Sequence, residues 1–146
     1  HGRIHRTDDG GRSWVPVTRD DRTGKSDLHA MTFAGQMRGW AAGSDGTILH
    51  SNDGGHTWRR QHTGARGPVT DIFFVDLNRG WALVADRSTS SSLILATANG
   101  GTQWLEDRRV DGELLHRLFF VDEDHGWAVG TRPEHGPQAL LRYRAP

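Results

Sequence analysis

The stretch Ser51-Asn52-Asp53-Gly54-Gly55-His56-Thr57-Trp58 occurs three times in this chain in related forms. Residues 7–14 read TDDGGRSW, and residues 97–104 read TANGGTQW. The closing residues Trp14, Trp58 and Trp104 are 44 and then 46 positions apart. A period of this size indicates a repeat architecture.

The repeated motif has the chemistry of a tight turn between two strands. An Asp can accept backbone N–H groups, paired glycines can adopt positive φ, and a Ser or Thr hydroxyl can hold the other side of the loop. We expect each closing Trp to pack beneath its turn. In the third copy Asn99 can replace Asp, but Gln103 cannot replace a short hydroxyl, so we expect a looser turn. The predicted turn residues are Thr7, Asp9, Gly11, Ser13 and Trp14, then Ser51, Asp53, Gly55, Thr57 and Trp58, then Thr97, Asn99, Gly101 and Trp104.

A second pattern, Phe-x5-Gly-Trp-Ala, recurs in register with the first. It begins at Phe33, Phe74 and Phe120, and each Phe precedes its Gly by six positions. Apolar runs before and after it predict four short strands in each unit. The predicted strands are 28–34, 40–43, 47–51 and 57–61, then 69–75, 81–85, 93–97 and 103–107, then 115–121, 127–130 and 139–143. Residues 15–27 are polar and rich in turn formers, which predicts the end of a strand and a connection.

Four antiparallel strands in each repeat are typical of a β-propeller blade. We therefore predict an all-β fold in a single partial propeller domain of about three and a half blades. Full blades are predicted at residues 28–62 and 69–108, and incomplete blades at residues 1–18 and 114–143. A ring of about 4–8 blades is usual, so we expect a fragment of a larger propeller, whose unpaired blade edges could self-associate.

Composition narrows the possible functions. The 146 residues carry 18 basic and 18 acidic side chains, so the formal net charge is zero and no nucleic-acid partner is indicated. Absence of cysteine excludes disulfides, and no apolar run reaches the ~20 residues of a membrane span. Because the sequence begins at His1, we expect a processed or truncated N-terminus.

Catalytic and metal-binding interpretations have weak support in the sequence. Sialidases use a Tyr nucleophile, but the single tyrosine, Tyr143, occupies the repeat position of Ser51 and Thr97. The run 122–124 is acidic but falls in a predicted exposed loop. The Asp-Gly turns lack the alternating ligands of an EF-hand, and the nine histidines form no zinc motif. We predict no catalytic residue, metal or cofactor.

The strongest candidates for binding are the residues that precede each Gly-Trp, namely Arg38, Arg79 and His125. Equivalent turns of successive blades lie on one face, so these three should form an arc there. The alternative is that each is a solvated turn residue. Loops between second and third strands vary more, which is typical of specificity-determining loops on a rigid scaffold.

The turn motif at Ser51–Trp58 and the Phe-x5-Gly-Trp-Ala pattern together resemble the Asp-box, or bacterial neuraminidase, repeat. The combination resembles that repeat as it occurs in the photosystem II assembly and stability factor family. The resemblance implies a seven-bladed propeller, a non-catalytic scaffold that binds protein partners, and an extracytoplasmic location. An acidic partner surface would suit the arc. The alternative is a piece of a carbohydrate-active propeller, sialidase-like or another glycoside hydrolase, with catalytic residues outside residues 1–146.

Overall fold

The computed structural model describes residues 2–20, 26–132 and 139–144. Within them the secondary structure is β, and no helix is long and apolar enough to cross a membrane. The chain forms an N-terminal hairpin followed by three sheets of mostly antiparallel strands, which we name the first, second and third blades. The predicted all-β propeller architecture is confirmed.

The strands follow the predicted order, with small shifts at their ends. The hairpin contains β1 (His5–Arg6) and β2 (Val15–Pro16). The first blade contains β3 (Thr18–Asp20), β4 (Leu28–Ala34), β5 (Arg38–Gly43), β6 (Ile48–Ser51) and β7 (Thr57–Gln61). The second contains β8 (Val69–Phe74), β9 (Gly80–Asp86), β10 (Ser91–Thr97) and β11 (Leu105–Asp111). The third contains β12 (Leu114–Phe120), β13 (His125–Thr131) and β14 (Ala139–Arg144).

One strand lies where the sequence predicts a connection. The first blade has five strands, because β3 pairs in parallel with the outer strand β7. Within the predicted connection 15–27, residues 18–20 therefore extend the sheet beyond the expected four strands.

The constant spacing between Phe and Gly has a steric cause. Phe33, Phe74 and Phe120 lie directly opposite the glycine of their own Gly-Trp in the first strand pair of each blade. A Cβ on Gly80 would lie 2.6 Å from the Phe74 ring, so only glycine fits beneath the ring. The loop that joins the first and second strands of each blade must therefore keep the same length, because a longer or shorter loop would move the Phe away from its Gly.

The core lies between successive blades. Trp40 of the first blade stacks on Phe74 of the second, with ring centroids 3.6 Å apart. Trp81 of the second stacks on Phe120 of the third at 3.8 Å. Each interface thus joins the Trp of one blade to the Phe of the next, which explains why both residues recur in register. The strands β4, β8 and β12 each contain a β-bulge near their start.

Candidate partner-binding face

The second motif turn is closed by a network centred on Asp53. Ser51 Oγ donates to Asp53 Oδ1 at 2.8 Å and accepts the N–H of Gly55 at 2.9 Å. Thr57 donates its N–H to Oδ1 at 2.9 Å and its Oγ1 to Oδ2 at 2.6 Å. Gly54 and Gly55 have φ of 69° and 83°, the left-handed region that favours glycine. The side chains of Ser51, Asp53 and Thr57 therefore all have partners within the turn.

The first motif turn repeats these bonds. Thr7 Oγ1 donates to Asp9 Oδ1 at 2.8 Å and accepts the N–H of Gly11 at 2.8 Å. Ser13 donates its N–H and its Oγ to Asp9 at 2.9 and 2.6 Å. The same residue types at the same spacing thus give the same geometry.

Hydrogen bonds hold both turn carboxylates in the ionised state. The bond from Ser13 Oγ, followed by those from the Ser13 N–H and Thr7, lowers the pKa of Asp9 to about 2. The bond from Thr57 Oγ1, followed by those from the Thr57 N–H and Ser51, lowers the pKa of Asp53 well below its ordinary range. Donors that stabilise the charged form make both side chains poor proton donors near neutral pH.

The third motif turn keeps the backbone geometry but has a different set of side-chain bonds. Thr97 Oγ1 donates to Asn99 Oδ1 at 3.0 Å and accepts the N–H of Gly101 at 2.9 Å. The Gln103 N–H donates to Asn99 Oδ1 at 2.9 Å. The side-chain bond made by Ser13 and Thr57 has no counterpart at Gln103 among the described residues. The expected looseness is therefore confined to the side chains, because the left-handed glycines are retained.

The closing tryptophans differ in burial, although Trp14 lies against its own turn as Trp58 does. Trp58 is 1% exposed and meets Phe33 edge to face, and buried Trp104 meets Phe74 in the same way. Trp14 donates its indole N–H to Gly11 O, yet it is 59% exposed. Among residues 2–20, 26–132 and 139–144, no strand equivalent to β4 packs on the hairpin and no Phe covers Trp14.

Gln61 joins the first blade to the third motif turn. The carbonyl of Gly100 in that turn accepts Nε1 of Trp40 at 3.0 Å and Nε2 of Gln61 at 2.9 Å. Oε1 of Gln61 accepts Nε1 of Trp104 at 3.3 Å. The sequence did not indicate this contact, because Gln61 belongs to neither repeated motif.

The motif turns and the Gly-Trp loops lie on the same face of the blades, which we name the motif face. The N–H of Gly54 donates to Met37 O at 2.9 Å, and that of Gly100 donates to Asn78 O at 2.8 Å. Each bond ties the two loops of one blade together.

Arg38 and Arg79 each reach the loop of the following blade. Arg38 donates Nη1 to the carbonyl of Leu77 at 3.2 Å. Arg79 forms an ion pair with Glu123, which occupies the repeat position of Leu77, and its Nε lies 3.9 Å from Asp76 Oδ2. The three Gly-Trp loops are therefore neighbours, and their cations also serve as contacts between blades.

His125 interacts within its own loop. Its Nδ1 lies 2.8 Å from Asp122 Oδ1. The hydrogen bond from the His125 ring, together with backbone N–H groups of Asp124 and His125, lowers the pKa of Asp122. The acidic run 122–124 thus forms a capped, exposed turn, and carboxylates lie beside both Arg79 and His125.

The residues considered for catalysis and metal binding are dispersed. Tyr143 lies opposite Gly126 in the β13–β14 ladder, as Ser51 lies opposite Gly39. Its backbone position is therefore that of a motif residue. Among residues 2–20, 26–132 and 139–144, no three His, Asp or Glu side chains are grouped as metal ligands. Of the variable loop 131–138, residues 133–138 lie outside the described residues.

Sequence reasoning missed a cavity of about 500 Å3 between the connection 64–67 and one face of the second blade. The connection 64–67 forms one wall, and Glu106 and Arg109 of β11 form another. Val84 and Leu93 contribute apolar surface. The connections between blades differ in length between the repeats, but that difference did not indicate a cavity.

The blades, their motif turns and their stacked Trp–Phe interfaces define a β-propeller protein of the bacterial neuraminidase repeat class. Residues 1–106 match the family described as photosynthesis system II assembly factor YCF48. The chain belongs to this family, and the resemblance inferred from the sequence is confirmed.

Individual relatives agree with this assignment. The chain is 34% identical over 83 residues to the photosystem II assembly lipoprotein Ycf48 of Synechococcus sp. (strain CC9902), covering 56% of this chain and 25% of that protein. YCF48 from Cyanidioschyzon merolae superposes with a TM-score of 0.74 at 17% identity, covering 98% of this chain and 44% of that one. A structure described as YCF48 bound to D1 peptide gives 0.61 at 18% identity, covering 80% and 40%. The chain thus spans less than half of each relative.

Proposed function

We propose that this chain is a non-catalytic propeller scaffold that binds protein partners in the assembly of a membrane protein complex, as its family description indicates. Family membership carries the proposal, and a relative described as bound to a D1 peptide supports a peptide-like partner. The ionised, internally bonded Asp9 and Asp53 also favour a structural role over acid–base chemistry. An extracytoplasmic location is supported by a relative that is named a lipoprotein.

We place the partner contact on the motif face, at Arg38, Arg79 and His125. The proposed row of these three residues is supported by the contacts of Arg38 and Arg79 to Leu77 and Glu123 in the following loops. A partner carboxylate can replace Glu123 beside Arg79, because that ion pair is about half exposed and surface pairs contribute only ~0–1 kcal/mol. The partner chemistry that we propose for this row is an acidic segment, whose carboxylates would compete with those of the loops for Arg79.

The test is association of the purified chain with a D1 peptide, measured by stopped-flow fluorescence. We expect Arg38→Gln with Arg79→Gln to slow association about tenfold at low salt and to flatten its salt dependence, because steering charges act mainly on the association rate. The unfolding midpoint should change little. Arg59→Gln with Arg60→Gln is the matched control on β7. Equal slowing in both double variants would leave only net charge as the cause.

We also propose that the open sides of the blades can associate with other copies. Phe33 is 41% exposed on the first blade, and Phe119 is 55% exposed on the third. Exposed aromatic surface beside unpaired strands favours association. Light scattering of the purified chain should show oligomers that grow with concentration, and a monodisperse monomer over that range would contradict the proposal.

A further inference from the structure

The outer strands of the first two blades differ in what covers them. In the first blade β3 pairs in parallel with β7, with Thr18 opposite Thr57 and Asp20 opposite Arg59. In the second blade β11 is the last strand of its sheet. No strand among residues 2–20, 26–132 and 139–144 pairs with its outer edge. An open edge presents unpaired backbone N–H and C=O groups to an incoming strand.

The repeat shows where an added strand would begin. Trp58 and Trp104 are equivalent, so the segment of β7 covered by β3 corresponds to residues 103–105, of which Leu105 is the first residue of β11. Leu105 is 60% exposed at this point. A segment laid here in the orientation of β3 would continue along β11 past Glu106 and Arg109, which border the cavity.

The cavity has one available positive charge. Glu106 lies 3.5 Å from Arg109, so these charges compensate each other. Asp86 accepts hydrogen bonds from Ser88 Oγ and from backbone N–H groups of the same turn. Arg66, in the connection wall, has no ion-pair or hydrogen-bond partner in the region of the chain that the structure describes. A carboxylate is the group that would complement it.

We propose that the outer edge of the second blade binds an extended acidic segment of a partner protein, which adds to β11 as a parallel strand. Its backbone pairs with the edge, an apolar side chain covers Leu105, and a Glu or Asp side chain enters the cavity beside Arg66. This inference rests on the proposed scaffold function and names a second contact, separate from the motif face.

The structure favours a peptide strand over a small ligand. Glu106 and Arg109 of the edge strand β11 border the cavity, and the first blade already shows that an outer strand of this kind accepts a parallel strand. Charged side chains on β11 protect the edge from indiscriminate pairing, which leaves charge as the basis for selecting a partner.

The test uses a synthetic peptide of alternating valine and threonine with one central glutamate, titrated by calorimetry into the purified chain. Replacement of that glutamate by glutamine should weaken binding about tenfold, as should Arg66→Gln in the protein. N-methylation of alternate peptide amides should abolish binding, because it blocks one edge of the added strand. Arg12→Gln, an equal charge change in the first motif turn, should have no effect.

Orientation provides a second readout. The chain has no cysteine, so Gln103→Cys, two residues before β11, and Asp111→Cys, at its last residue, each give a single labelling site. A spin label on the peptide N-terminus should lie closer to position 103 than to position 111. The opposite order would overturn the parallel assignment.

Several outcomes would overturn the proposal. The proposal is wrong if the glutamate peptide does not bind, or if the N-methylated peptide binds as tightly as the unmodified one. It is also wrong if the Arg66→Gln variant binds the glutamate peptide as tightly as the parent protein does. Protection of β11 amides from hydrogen exchange that grows with protein concentration without peptide would instead identify a second copy as the occupant. The Arg38→Gln and Arg79→Gln variant should bind this peptide like the parent. If that variant loses D1 binding but still binds the synthetic peptide, the motif face and the β11 edge are two separate contacts.

Discussion

The first and second motif turns have the same hydrogen bonds but different surroundings. Corresponding distances around Asp9 and Asp53 agree within 0.1 Å, from 2.6 Å for the Ser13 and Thr57 hydroxyls to 2.9 Å for their N–H groups. Yet Trp14 is 59% exposed and Trp58 only 1%. The turn is therefore determined by its own eight residues, whereas the burial of its Trp depends on the neighbouring strands.

The largest expected difference between the two turns is in the cost of removing the Trp. Trp58→Ala empties a buried site beneath Phe33, so the free energy of unfolding should fall by about 3–5 kcal/mol. Trp14→Ala removes a mostly solvated ring and should cost less than about 1 kcal/mol. Urea unfolding followed by circular dichroism measures both variants.

Circular dichroism at zero urea shows whether each variant still has the β-sheet content of the parent. Similar unfolding midpoints for the two variants would mean that Trp14 is buried in solution. The difference in burial between Trp14 and Trp58 would then be disproved. The hydrogen bonds shared by the two turns would not be affected.

This contrast also shows how far the sequence determines the structure. The blade order and the turns were predictable, because Asp53 with its donors and Phe74 with Gly80 interact within a few residues or across one strand pair. The exposure of Trp14 was not predictable from the motif, because it depends on whether a neighbouring strand covers the ring.

The candidate site was predictable in position but not in its contacts. The spacing before Gly-Trp placed Arg38 and Arg79 in neighbouring loops, but it did not indicate that Leu77 O and Glu123 lie opposite them. The pairing of β3 with β7 depends on the path of the connection before the first blade. The cavity beside Arg66 depends on the path of the connection 64–67. Connections have no repeat pattern from which such paths could be inferred.

The smallest predicted effect concerns pH and separates the first two turns from the third. The folded-state pKa of Asp9 is about 2, below its ordinary value of 3.8, and that of Asp53 is lowered by the same kinds of bonds. A lowered pKa stabilises the fold above the ordinary value, and this contribution is lost as pH falls through the folded-state pKa. The loss should therefore begin below about pH 4. The third turn uses Asn99, whose amide does not ionise in this range.

Amide proton shifts can measure each turn separately, because the N–H groups of Ser13, Thr57 and Gln103 donate to the three central side chains. The Ser13 shift should titrate with a midpoint near pH 2, the Thr57 shift should still be changing at the lowest pH at which the chain stays folded, and the Gln103 shift should stay constant. Asp9→Asn is the matched control, since it keeps an oxygen acceptor and removes the charge, so the Ser13 titration should disappear while that of Thr57 remains. A Ser13 midpoint near 3.8 would mean that the hydroxyl bonds do not stabilise the carboxylate in solution. The first and second turns would then share their geometry but not the lowered carboxylate pKa that the hydrogen bonds imply.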